Sequence, residues 1–369
     1  MNKPLRVGVI GANARGGWAA DSHVPAVQGL DGLELVAVAT NRQETADEAA
    51  HAFGVAKAYA GGDALIGDLD IDIVTVATRV PDHRALVLAA AAAGKHVYCE
   101  WPLARGSAES EEVARAAEAA GVHQAIGLQL RASPAVRAAR ERLASGAIGR
   151  LLSLSALSTT AGFGPDVAAP FVYLEDPAAF ANLVTIQGAH TLDLVMLLGG
   201  AGASFSALTS RQFPEIRAGD DGKPQPRRTF DHLLVQGGFD GGAPFAAEVA
   251  GGRKGEAPFW LDIQGEKGSL RLDGGAPRGL QSGRIGLIED GERRDVDEGE
   301  LAGIPDAAVN VAGVYAALRD EIRNDDSRED DSRGDVTQVA GFRHAVVLSR
   351  MIEDVFRSSE EGRRVTNGV

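Results

Sequence analysis

The stretch Leu5-Arg6-Val7-Gly8-Val9-Ile10-Gly11-Ala12-Asn13-Ala14-Arg15-Gly16-Gly17 decides the fold. Leu5–Ile10 is apolar and rich in valine and isoleucine, which reads as a short buried strand, and the glycines after it read as a tight turn. Outward from this start, strand and helix alternate. Trp18–Leu30 suits a helix that Pro25 breaks or confines to a turn. Leu33–Ala39 is a second strand and Glu44–Phe53 an alanine-rich helix. Asp72–Ala77, His96–Cys99 and Gln124–Leu128 are further strands, separated by helices over Pro81–Ala93 and Ser107–Ala120 that Gly94 and Gly121 close. This alternation predicts parallel βαβ units and a doubly wound α/β sheet.

The pattern changes after Ser133-Pro134. A helix over Ala135–Ser145 leads to Leu151–Ser158, whose alternation of apolar residues and serine marks a strand with one buried face. Phe205–Ser210, Asp231–Gly237, Phe245–Ala250, Phe259–Gln264 and Ser269–Leu272 follow with little helix between them. They predict an open antiparallel sheet with helices on one face, an α+β domain. Arg217–Arg228 and Gly251–Pro258 read as loops, and Asp320–Asp331 as a solvated helix end. Val336–Phe356 is helical. The expected division is a dinucleotide-binding domain over 1–128 and a substrate and oligomerisation domain over 129–369, with helix 336–356 packing back on the first.

The 369 residues are 44% hydrophobic and 24% charged, an ordinary globular composition. The net charge of −14 argues against direct nucleic-acid binding, which needs a positive face. No apolar run approaches the roughly eighteen residues of a membrane span, and no segment reads as a signal peptide. The lone Cys99 rules out an intrachain disulfide framework, and cytoplasm is the expected location. The eight histidines lack metal-ligand spacing, and no Gly-x-Ser-x-Gly elbow appears.

A dinucleotide turn needs glycines for the turn itself, for backbone approach to the pyrophosphate and for helix packing. Gly11 and Gly16 fill the first and third roles. Asn13 takes the second, and asparagine tolerates the left-handed conformation better than most residues. Arg15 lies within the same turn. The next strand ends Ala39-Thr40-Asn41-Arg42, without the acid that accepts from the ribose hydroxyls in an NAD site. Arg42 suits a 2′-phosphate, with Thr40 and Asn41 as donors, so NADP is preferred and NAD is the alternative.

The order of features resembles the Gfo/Idh/MocA family (glucose–fructose oxidoreductase, inositol dehydrogenase), which pairs a Rossmann domain with an open sheet domain. Five stretches carry the resemblance: Val7–Gly11, Ala77–His83, Val97–Pro102, Gly146–Gly149 and Gly188–Asp193. Within the family, Gly11–Trp18, Glu100-Trp101, Gly188–Asp193 and Phe230–Gly237 are similar to the branch containing the fungal galactose-pathway repressor. The resemblance extends the cofactor site to Thr78, Arg79, Pro81, His83, Glu100, Trp101 and Pro102. It also implies a homo-oligomer, dimer or tetramer.

Family enzymes transfer hydride between a carbinol carbon and nicotinamide, usually with Glu-Lys-Pro at the fifth strand and an aspartate four residues before a histidine. Here those positions read Glu100-Trp101-Pro102 and Ile186 before His190. Trp101 has only a donor N–H and transfers no proton, but it suits a stacking wall. His190 remains as an acid/base, with Asp193 one helical turn on if the segment is helical. Tyr173 is a second candidate acid, with a half-buried aromatic as the favoured alternative; Arg131 is a substrate contact; His83 has helix capping as its alternative, and His232 reads as a packing residue. Two functions follow. One is an NAD(P)-dependent oxidoreductase acting on a sugar, cyclitol or glycoside-like polyol. The other is an inactive NADP-binding sensor working through a protein partner.

Overall fold

The computed structural model describes residues 3–254, 258–324 and 339–366, so residues 255–257 of the Gly251–Pro258 stretch, 325–331 of the acidic run and 336–338 of the last helix lie outside it. Two compact units appear. The first comprises 1–104, 108–132 and 298–346; the second comprises 105–107, 133–297 and 347–369.

In the first unit, strands β1 (Leu5–Ile10), β2 (Leu33–Thr40), β3 (Lys57–Ala60), β4 (Ile73–Val76), β5 (His96–Cys99) and β6 (Gln124–Ile126) form one sheet in the order 3-2-1-4-5-6. All its pairings are parallel. The strand order reverses between β1 and β4, which in open α/β sheets marks where ligands bind, beyond the carboxyl ends of the strands. Lys57–Ala60 escaped the sequence reading because four residues, none fully buried, carry little apolar signal. Pro25 does not break the Trp18–Leu30 helix. A π-helical turn, Ala19–His23, runs directly into α-helix Val24–Gly29, and Pro25 sits at their junction, where the hydrogen-bond pattern changes. The helix that returns to this unit from the far end of the chain is Asp306–Arg323. Its Val309, Ala312 and Tyr315 join Val7, Val9, Val24, Val27 and Tyr98 in one core. The later helix, Phe342–Glu361, is divided between the units after residue 346.

The second unit is built on nine strands: β7 (Leu151–Thr159), β9 (Gly202–Ser210), β12 (His232–Phe239), β13 (Pro244–Ala250), β14 (Phe259–Gly265), β15 (Ser269–Gly274), β16 (Ile285–Glu289), β17 (Glu292–Arg294) and β18 (Val365–Thr366), in the order 17-16-15-14-7-13-12-9-18. The sheet is mixed rather than purely antiparallel, because β7 and β13 run parallel at its centre. A small second sheet corrects the loop reading of Arg217–Arg228. There β10 (Glu215–Ala218) pairs antiparallel with β11 (Lys223–Pro226) and parallel with β8 (Asp166–Val167). Pro224 and Pro226 hid the hairpin, since proline is confined to edge strands, and β11 is an edge. The span Pro177–Gly199 has the length and mean hydropathy of a membrane crossing, although Asn182, Gln187, His190 and Asp193 keep it from being an uninterrupted apolar run. It is 83% buried within the fold and is interrupted by 3-10 and π turns before helix Ala189–Gly199, as suits a core segment.

Candidate functional site

The glycine turn closes against its neighbours. Gly11 has φ +99° and donates to the Ala39 carbonyl at 2.9 Å. A Cβ there would lie 2.4 Å from the Ala77 carbonyl oxygen, so only glycine lets the end of β1 pass the loop after β4. Asn13 does not supply the left-handed residue; Gly16 and Gly17 do, at φ +102° and +122°. Asn13 instead forms an Asx turn, its Oδ1 accepting from the Arg15 N–H at 2.9 Å while its carbonyl accepts from Gly16 N–H at 3.2 Å. Gly16 does not serve helix packing either, because open space surrounds its Cβ position. Arg15 is exposed and reaches Glu48 only at 3.5 Å.

Two buried donors near this turn lack partners in the described structure, the Trp18 indole N–H and the Thr78 hydroxyl. Orphaned buried polar atoms are costly unless a ligand meets them. Together with exposed, left-handed Gly16 and Gly17, they fit an acceptor-rich dinucleotide. At the end of β2, the Thr40 hydroxyl is committed locally, 2.5 Å from the Thr45 hydroxyl and 2.9 Å from the Arg42 carbonyl it donates to. That leaves Asn41 and Arg42, both exposed at the start of helix Gln43–Phe53.

His83 belongs to the frame rather than to the cofactor surface. It is buried, with Nδ1 2.8 Å from the Pro102 carbonyl and Nε2 3.1 Å from the Thr78 carbonyl. Burial lowers its pKa, and the two carbonyls oppose that shift. The ring ties the Thr78 loop to the Trp101-Pro102 loop. Arg79 and Pro81 are exposed beside it, while Trp101 and Pro102 are buried.

Glu100 heads a network that sequence reading missed. Its Oε1 lies 3.0 Å from His23 Nε2, and the Gln129 amide donates to Oε1 at 2.9 Å and Oε2 at 3.0 Å. His23 is fully buried, and its Nδ1 lies 2.9 Å from the Tyr315 hydroxyl, itself 2.6 Å from Thr75 Oγ1. The carboxylate only accepts, so His23 donates to it through Nε2, while its Nδ1 and the Tyr315 hydroxyl share the next hydrogen bond. Tyr315 stays protonated because burial raises its pKa well above the ordinary phenol value; Thr75 opposes and the Glu100 charge adds. Only Glu100 reaches solvent, with 13% of its side chain exposed. His23 stands one turn beyond the glycines, its single sequence clue, while its tie to Tyr315 spans 292 positions. On the same 3-10 turn as Gln129, buried Arg131 donates to His344 Nε2 at 2.8 Å.

The second unit holds the remaining candidates. His190 and Asp193 share helix Ala189–Gly199 within one turn and are 4% and 3% exposed. Ile186 is half-buried in the preceding π turn. Tyr173 is half-buried on the 3-10 turn Ala169–Glu175. His232 lies 3.0 Å from Glu248 on the neighbouring strand. A closed ionic cluster, also unforeseen, surrounds Arg227. Its guanidinium meets Glu175 at 3.1 Å and Asp231 at 3.3 Å, and donates to the Phe213 carbonyl at 3.1 Å. Among the described residues, no group of three His, Cys, Asp or Glu side chains is placed to hold a metal.

Residues 5–128 match a family described as an oxidoreductase family with an NAD-binding Rossmann fold, and residues 134–274 match the Gal80p C-terminal domain. The chain is 28% identical over 375 residues to the dehydrogenase aclE of Aspergillus oryzae, covering 98% of each. It is 26% identical over 408 residues to the galactose/lactose metabolism regulatory protein GAL80 of Saccharomyces cerevisiae, covering 97% of this chain and 93% of that one. A crystal structure of levoglucosan dehydrogenase with NADH and levoglucosan has the same fold, with TM-score 0.81 and 21% identity over the full length of both chains.

Proposed function

We propose that this chain, a member of the Gfo/Idh/MocA family with a Gal80p-type second domain, is an NAD(P)-dependent oxidoreductase acting on a carbinol group of a sugar, cyclitol or related polyol. The observation that carries the reading is the cofactor end of the first unit, where left-handed glycines and two orphaned donors suit a dinucleotide. When bound, that cofactor supplies the hydride acceptor or donor. His190 takes the alcohol proton during oxidation, since neither Trp101 nor Ile186 exchanges one. NADP is the preferred form, because Arg42 and Asn41 stand exposed where an NAD site would present an acid.

The test is reduction of NADP by purified protein over a panel of sugars and polyols, followed by absorbance. Turnover that His190→Ala abolishes supports the enzyme. Tight NADP binding without turnover across the panel supports the second reading, a nucleotide-sensing regulator. The loss of the usual lysine and aspartate at Trp101 and Ile186 favours that reading, as does the relationship to GAL80.

Copies of the chain associate, in this reading, through the outer face of the nine-stranded sheet. Leu208 and Leu234 pair in register there and are 55% and 40% exposed. A monomeric mass by light scattering at micromolar concentration overturns that part.

A further inference from the structure

We infer that Glu100 is a fixed negative charge at the nicotinamide half of the dinucleotide site, so that the chain holds oxidised cofactor more tightly than reduced. The inference rests on the cofactor reading above and goes beyond it by assigning a redox preference and the residue that sets it.

Position is the first argument. A dinucleotide lies across the point where strand order reverses, with one mononucleotide half on each side. Here that point lies between β1 and β4. The end of β2, with Asn41 and Arg42, therefore serves the adenosine half. Glu100 follows β5 on the opposite side, its N–H donating to Val76 at the end of β4 at 3.0 Å.

Charge is the second. Both carboxylate oxygens accept from the Gln129 amide, at 2.9 and 3.0 Å. The fully buried His23 Nε2 holds Oε1 from the other side at 3.0 Å. Trp101, next in the chain, adds no charge. The titratable groups around the carboxylate are pressed toward neutrality: burial raises Tyr98, Cys99 and Tyr315, and the Glu100 charge adds in each.

Chemistry is the third. The oxidised nicotinamide ring carries a positive charge and the reduced ring is neutral, so the two forms differ by the charge a carboxylate detects. At the effective dielectric of a partly buried site, such a charge several ångströms away is worth about tenfold in affinity. The rigid donors around Glu100 hold it in place whether or not the ring is present, so little reorganisation is needed on binding.

The test titrates wild-type protein and Glu100→Gln with NADP+, NADPH and 2′-phospho-ADP-ribose, which lacks nicotinamide, by calorimetry. If the NAD series binds more tightly, it replaces these ligands. The expected result is NADP+ about tenfold tighter than NADPH in the wild type. The variant should lose that ratio yet bind the nicotinamide-free probe as the wild type does. Equal affinity of the wild type for NADP+ and NADPH overturns the inference and leaves the cofactor reading standing, even if the variant does not fold. Equal weakening of all three ligands in the variant also overturns it, by making Glu100 a structural tether. Failure of all three to bind wild-type protein overturns the cofactor reading and the inference together.

Discussion

The two units bury ions in opposite ways. In the second, Arg227 and Asp231 are wholly inaccessible and Glu175 nearly so. Their remaining bonds go to the loops around them: Gln212 N–H and Phe213 N–H donate to Asp231, and the Thr229 hydroxyl donates to Glu175. In the first, a hydrogen-bonded series from Thr75 through Tyr315 and His23 ends on a carboxylate that keeps one edge in solvent. The closed cluster sets one guanidinium between two carboxylates, completes them with backbone and hydroxyl donors, and reads as a staple for the small sheet. The open series delivers a charge to the end of a strand. Burial alone therefore does not separate structural from functional ions; the separation lies in whether the network terminates inside.

The largest expected effect breaks the closed cluster. Arg227→Met leaves two carboxylates buried without a cation and should cost about 3–5 kcal/mol, seen as a lower denaturation midpoint, without changing relative affinities for NADP+ and NADPH. A variant as stable as wild type would deny the cluster its stapling role. Gly11→Ala comes next, at about 2–4 kcal/mol, from the clash with Ala77 and the left-handed backbone, with loss of cofactor binding in the same titration. Tyr315→Phe strands the His23 Nδ1 and should cost about 1–3 kcal/mol by urea unfolding. If it costs nothing, the series is not a connected unit.

Two smaller effects sharpen the contrast. His83 has its folded-state pKa lowered below 6.5 by burial, so the unfolded chain takes up the proton first. Its contribution is intact above that pH and is lost as pH falls, by at most about 1.4 kcal/mol per pH unit. Melting curves between pH 7.5 and 5 should show a slope that His83→Gln reduces. Arg42→Ala should weaken NADP+ about tenfold and leave NAD+ nearly unchanged, the size of one charge-assisted hydrogen bond. Equal loss for both nucleotides would remove Arg42 from cofactor selection.

Periodicity made the first sheet readable, because its central strands are short, continuous apolar runs between glycines. The turn was readable in position but not in detail. Gly11 behaves as its place demands, whereas Asn13 acts through its side chain, a distinction that composition does not carry. Of the strands of the second unit, Leu151–Thr159 was legible from its apolar alternation, Lys223–Pro226 and Glu292–Arg294 were masked by prolines or charges, and the five-residue Ile285–Glu289 was passed over despite its alternation. His23 and Tyr315 were invisible as a pair, since nothing local announces a contact across most of the chain. Glu100 was singled out for its motif, but the charge it keeps follows from partners that only the fold assembles.

The return of helix Asp306–Arg323 to the first unit also sets a timetable for biosynthesis. The nascent chain exposes β1 to β6 well before the helix that covers their core, with residues 133–297 translated in between. At 5–20 residues per second that interval is on the order of ten to thirty seconds. During it, Val24, Val27 and Tyr98 have no Val309, Ala312 or Tyr315 to pack against. Truncation before residue 306 should yield a protein that aggregates rather than an isolated nucleotide-binding module.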